Sequence, residues 1–143
     1  MGVELGYIIA TLISLAAYTV VCIALLILSY TLLDLLTPGK LTQIIKNGGW
    51  NASLLAAANM VAVALIIMFA MLGQPVSVGG IITATVFAVA GAIGQACGLW
   101  LTRKLWFAKT NFEELLASKI SPAGVFVAAT SLALGISIAV AVH

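Results

Sequence analysis

Four runs of apolar residues stand out along the chain, at 7–33, 52–72, 80–101 and 123–142, and none contains a Lys, Arg, Asp or Glu. Each meets the ~20 residues that an α-helix needs to cross ~30 Å of hydrocarbon. The pattern therefore predicts an all-α polytopic fold with four transmembrane helices. The first run is the longest and is expected to tilt or to extend beyond the lipid. It does not read as a cleavable signal peptide: no Lys or Arg precedes it, its apolar stretch is too long, and no clear cleavage site follows.

The segments between the runs differ in kind. The turn at 73–79 is Gly-Gln-Pro-Val-Ser-Val-Gly, a tight connection punctuated by glycine and proline. The other two are longer and carry helical signals. After the first run, Thr37 reads as an N-cap with Pro38 at the first helical position. Leu41, Ile44 and Ile45 then recur at helical spacing, and Gly48 closes the helix. After the third run, Thr110 and Glu113 form a capping-box pattern, followed by apolar Phe112, Leu115 and Leu116. Both segments are expected to be short amphipathic helices at the membrane surface. Pro122, after Ser121, then opens the fourth span.

These two segments match at an offset of 71 residues. Leu41, Ile44 and Ile45 fall on Phe112, Leu115 and Leu116, and Ala52, Ala57 and Ala58 fall on Ala123, Ala128 and Ala129. The chain thus reads as one transmembrane domain, 1–143, of two repeats at about 7–73 and 80–142. Each repeat holds two spans, so the two are parallel, related by an axis along the membrane normal.

Composition agrees, with 64% hydrophobic and 7% charged residues, where a soluble domain carries about a quarter charged. Charge adds orientation. Lys40 and Lys46 follow the first span, and Arg103, Lys104, Lys109 and Lys119 follow the third; all six cations fall on one side. The positive-inside rule puts both longer loops in the cytoplasm and both termini outside. Trp50, Trp100 and Trp106 anchor the inner boundary, and Tyr7 does the same outside.

The stretch Asp34-Leu-Leu-Thr-Pro-Gly-Lys40, with Asn51-Ala-Ser-Leu-Leu-Ala-Ala-Ala58, resembles the first repeat of the YjfL-like family. The resemblance implies a small bacterial inner-membrane protein built from two such repeats, with no established chemistry.

Candidate chemistry is sparse. No His-rich or Cys-rich ligand set, phosphate-cradling glycine loop or Ser–His–acid set is present, and the single histidine, His143, is not expected to act as a ligand or base. Cys22 and Cys97 lie in apolar runs at different depths and are expected to be unreactive and unbonded. Glu113 and Glu114 suit a first helical turn. Asp34 ends the first span near the level where Arg103 and Lys104 end the third, which suggests an interfacial ion pair; a proton or cation relay is the sharper alternative.

Within the spans the notable polar groups are Asn59 and Gln95. Asn59 lies about 12 Å past Asn51 and Gln95 about 10 Å before Thr102, at matching depth on antiparallel neighbours. Each sits in a small-residue seam: Ala52, Ala56, Asn59, Val63, Ile66 and Ala70 on the second span, and Ala84, Ala88, Gly91, Gln95 and Gly98 on the third. An amide there either bonds across the helices as packing glue or lines a polar path. Taken together, these features lead to a non-enzymatic membrane protein without cofactor, metal or nucleic-acid partner. It is expected to be a homo-oligomer acting as a packing subunit, or as a scaffold offering its inner helices to a cytoplasmic protein. The rival is an oligomeric channel or carrier lined by Asn59 and Gln95.

Overall fold

The structure, a computed structural model, describes residues 2–37, 40–72, 74, 77–107 and 111–142. Six helices follow in order: α1 (Gly2–Leu36), α2 (Leu41–Lys46), α3 (Trp50–Met71), α4 (Val78–Trp106), α5 (Phe112–Ala117) and α6 (Pro122–Val142). The described residues form no strand. Helices α1, α3, α4 and α6 are each long and apolar enough to cross a membrane. A helix meets its own backbone hydrogen-bonding needs, which hydrocarbon cannot do.

Both short helices form, with different starts from those expected. Thr37 does not cap α2. Its hydroxyl donates to Leu33 O at 2.6 Å, an i−4 bond that keeps it in the last turn of α1, and Lys40 precedes α2 instead. Gly48 does close α2: its φ of +88° suits glycine, and its N–H donates to Ile45 O at 3.1 Å. At α5 the capping side chain is Asn111, which accepts from Glu114 N at 3.4 Å. Pro38, Thr110, Lys109 and His143 lie outside the described residues. Ser77 caps α4 by accepting from Gly80 N at 3.1 Å.

The apolar faces of the short helices turn into the bundle. Leu41, Ile44 and Leu116 join Leu33, Ala52, Leu55, Leu99 and Val127 in one core cluster. The ends of α1 and α4 and the starts of α3 and α6 meet here, at the end bearing Lys40, Lys46, Arg103, Lys104 and Lys119. A second cluster, around Leu25, Val63, Ile67, Ala70 and Ala88, fills the bundle further along.

Helix α3 touches every other element, and its most extensive neighbour is α6 rather than α4. The expected α3 seam is buried throughout. On α4, Ala84, Ala88, Gly91 and Gln95 are buried and Gly98 is half-buried. The partner seam on α6 consists of Gly124, Ala128, Ser131, Gly135 and Ala139, all buried. At Gly135 the backbones come so close that an added Cβ would overlap Ala62 Cβ and stand 2.8 Å from Ala62 Cα. Small residues allow such an approach, and dispersion over the seam replaces the hydrophobic drive that lipid does not supply.

Among the described residues α1 and α6 do not touch, whereas α4 touches both. In cross-section α3 and α4 therefore lie between α1 and α6. A stripe on α1 faces the bundle, made of half-buried Ser14, Ala17 and Val21 and buried Leu25, Ser29 and Leu33. That stripe spans about 30 Å, one hydrocarbon thickness. Residues 2–13 continue past it for about 18 Å, exposed on all sides, with Val3 88% and Ile13 65% exposed.

Candidate functional site at the buried amides

Two polar nodes lie inside the bundle. The deeper one contains Asn59 on α3 and Gln95 on α4, respectively 2% and 1% exposed, with Ser131 of α6 as a third member. The structure brings the two sequence-identified amides together, but their mutual contact is the weakest in the node. Gln95 Nε2 donates to Ser131 O at 2.8 Å and to Ser131 Oγ at 3.1 Å, and reaches Asn59 Oδ1 only at 3.5 Å. A backbone carbonyl can only accept, so the 2.8 Å contact fixes which end of the Gln95 amide faces α6. Asn59 Nδ2 and Gln95 Oε1, a donor and an acceptor, are then left buried without a protein partner.

The second node is at the cation-bearing end, and Asn51 is its hub. The Asn51 side chain is fully buried at the first turn of α3. Its Nδ2 reaches Leu115 O at 2.7 Å and the hydroxyls of Ser118 and Ser121, each at 3.1 Å. Its Oδ1 accepts from Ser121 N at 3.3 Å. Leu115 O belongs to the last turn of α5 and also accepts from the Ser118 hydroxyl at 2.7 Å and the Ser118 N–H at 3.4 Å. Ser121 is the N-cap of α6, its Oγ accepting from Gly124 N at 3.3 Å. One amide thus ties the start of α3 to the end of α5 and the start of α6. Gly124 leaves room for it, since a Cβ there would overlap the Asn51 amide.

The charged groups at this end have separate engagements. Asp34 Oδ1 accepts from Thr42 N at 2.9 Å and lies 3.4 Å from Thr42 Oγ1, which in turn bonds Tyr30 OH at 2.8 Å. The carboxylate therefore pins α2 to α1. Arg103 Nη1 donates to Leu36 O at 3.0 Å, at the carbonyl end of α1. Lys104 Nζ lies 4.2 Å from the centre of the Trp100 ring, a cation–π contact. The two cysteines are free: Cys22, half-buried, has its Sγ 3.9 Å from Met71 Sδ, and Cys97 is exposed on α4. Among the described residues no cluster of His, Cys, Asp and Glu could hold a metal ion.

A family model described as Domain of Unknown Function (DUF350) matches residues 7–142. The chain belongs to the DUF350 family. No curated protein and no solved structure matches it. The matched stretch takes in all four long helices and both polar nodes, so in this DUF350 chain the nodes belong to the domain itself. The described members of both nodes are neutral amides and hydroxyls, each able to donate and accept hydrogen bonds.

In the sequence Asn51 stood out only as the start of the motif Asn51–Ala58, without a role, and Ser131 was not singled out. An Asn before an apolar run reads first as a helix cap. Ser131 carried a clearer signal, because Gly124, Ala128, Ser131, Gly135 and Ala139 repeat the small-residue spacing of α3 and α4.

Proposed function

We propose that this DUF350 protein is a non-enzymatic packing subunit of the bacterial inner membrane that works as a homo-oligomer. The observation behind this reading is the contrast between its inside and its outside. At depth Gln95 bonds Ser131 of the same chain, and the four apolar runs hold no acid or base. Outside, α1 presents an apolar surface, and residues 2–13 have no neighbouring helix. Residues 2–13 are apolar but for Glu4 and Thr11, and further copies of the chain would cover them. The short helices turn their apolar faces inward, which leaves their polar sides, with Gln43, Lys46, Glu113 and Glu114, for any cytoplasmic protein partner.

The same proposal takes the cation-bearing end as cytoplasmic, the two halves α1–α3 and α4–α6 as an internal duplication, and the family as akin to the YjfL-like one. Alkaline phosphatase fused after Val142 is then active; activity only on fusion near Lys46 reverses the orientation. In native mass spectrometry from nanodiscs a defined multimer is expected, and removal of residues 2–13 lowers its share. A monomer at every concentration rejects the assembly role.

One observation favours a second reading, a small-solute channel or carrier. Asn59 Nδ2 and Gln95 Oε1 form a donor and an acceptor that one water, or one small polar guest, would satisfy. Flux into liposomes separates the two readings.

A further inference from the structure

Helix α1 carries a second stripe on the side away from the bundle. Ile9, Ile13, Ala16, Val20, Ile23 and Ile27 step by four and three, so they form one seam of about 27 Å. All six are exposed, with Ile13 at 65% and Val20 at 66%. At about 100° per residue they lie on the far face from the buried Leu25, Ser29 and Leu33. The buried seam of α3, from Ala52 to Ala70, has the same spacing and packs against neighbouring helices.

We propose that this α1 seam pairs, in parallel, with the same seam of a second copy of the chain; the inference rests on the homo-oligomer reading and assigns the surface that joins the copies. Area supports a protein partner. The chain exposes 8346 Å², where a compact monomer of its mass exposes about 6,900 Å². The surplus of about 1,400 Å² is more than the ~800 Å² that one partner gives to a stable interface. Helix α1 is where cover is missing: three of its residues are buried, against ten in α3. Length argues against lipid as the whole cover. The bundle-facing stripe from Ser14 to Leu33 already spans about one hydrocarbon thickness, so Ile9 and Ile13 stand at or beyond the edge of the acyl chains, while Val20 and Ile27 lie among them. A helix running alongside covers both parts. The α1 of another copy has the same length and, inserted the same way, runs parallel. The side chains suit the contact. Isoleucine and valine hold few rotamers and favour knobs-into-holes packing at such positions, and Ala16 lets the two helices approach closely.

The test is disulfide cross-linking of the full chain in native membranes with copper phenanthroline, in a background carrying Cys22→Ala and Cys97→Ala. Single cysteines are placed on the seam by Ile13→Cys, Val20→Cys and Ile27→Cys, and off it by Leu15→Cys and Leu28→Cys. A disulfide needs Cα atoms within about 7 Å. A cross-linked dimer forms at all three seam positions, which parallel pairing in register allows and antiparallel pairing does not, and at neither position off the seam. Native mass spectrometry from nanodiscs gives a second arm: Ala16→Trp lowers the share of multimer, and Leu15→Trp leaves it at the wild-type level. The substituted seam and off-seam side chains are all exposed, so lost assembly is not lost folding. A wild type that is monomeric at every concentration rejects the homo-oligomer reading and the seam with it. A multimer that cross-links only off the seam or at no position, or that Ala16→Trp leaves intact, keeps that reading and overturns the seam.

Discussion

Gly135→Val is expected to destabilise the bundle by about 3 kcal/mol or more. The cost arises because the obstacle is main chain. A Cβ at Gly135 overlaps Ala62 Cβ and stands 2.8 Å from Ala62 Cα, and neither atom can rotate away. Helices α3 and α6 must part, which also stretches the bonds from Gln95 to Ser131. Gly135→Ala meets the same obstacle with one carbon and is expected to lose about 2 kcal/mol. Two other glycines calibrate the result. At Gly98 the obstruction is the flexible end of Leu134, so alanine there costs less; at Gly79 the only neighbour among the described residues is Ser77 Oγ at 3.9 Å. Gly79→Ala is expected to be neutral or to gain up to about 1 kcal/mol in helix propensity. Unfolding in mixed micelles ranks the four variants, and a Gly135→Ala protein as stable as wild type would show that α3 and α6 do not pack this closely.

Asn51→Ala is expected to cost about 1–3 kcal/mol. The substitution leaves Leu115 O, Ser118 Oγ and Ser121 N without the amide that joins them, in a place where the native side chain is fully buried. Leu115 O and Ser118 Oγ keep their mutual 2.7 Å bond, so Ser121 N is the group left seeking an acceptor; an orphaned buried group costs about 1–3 kcal/mol, reduced where water enters at the membrane surface. Asn51→Asp is expected to be no better, because a carboxylate oxygen would then face Leu115 O. The damage is local at first. The α5 segment should open before the spans separate, so proteolysis near Lys119 should accelerate about tenfold or more, the factor for ~1.4 kcal/mol. Unchanged cleavage in Asn51→Ala would mean that the hub does not hold α5.

Much of this fold was legible in the sequence because the membrane imposes strong constraints on it. Span length and absence of charge each have one physical reading, and the helices at α1, α3, α4 and α6 match the four apolar runs to within a few residues. The short helices α2 and α5 were legible from Leu41, Ile44, Leu115 and Leu116, but their starts were not. Thr37 can bond backward or forward, and only the backbone after Leu33 decides which. The sequence puts the two amides at one depth, where they lie 3.5 Å apart, and does not point to Ser131, the nearer partner of Gln95. Asn59 and Gln95 lie at one depth on consecutive spans, so sequence proximity favoured pairing them. Gln95 turns to Ser131 because α6 approaches α3 through Ala62 and Gly135, a contact between residues 73 apart in the chain that no local pattern states. Asn51 was hidden for a related reason: its partners at 115–121 come from the other half of the chain.

The central claim is that the polar groups inside the spans tie helices together and do not line a path. Solute flux into proteoliposomes tests it most directly, measured for wild type, Asn59→Leu and Gln95→Leu. The account predicts flux equal to that of empty vesicles for all three. It also predicts that Gln95→Leu is the less stable of the two variants, since Gln95 holds the 2.8 Å bond to Ser131 and Asn59 only the 3.5 Å contact. Flux above empty vesicles in wild type, altered by Asn59→Leu while stability is unchanged, would contradict the claim and establish the amides as a lining.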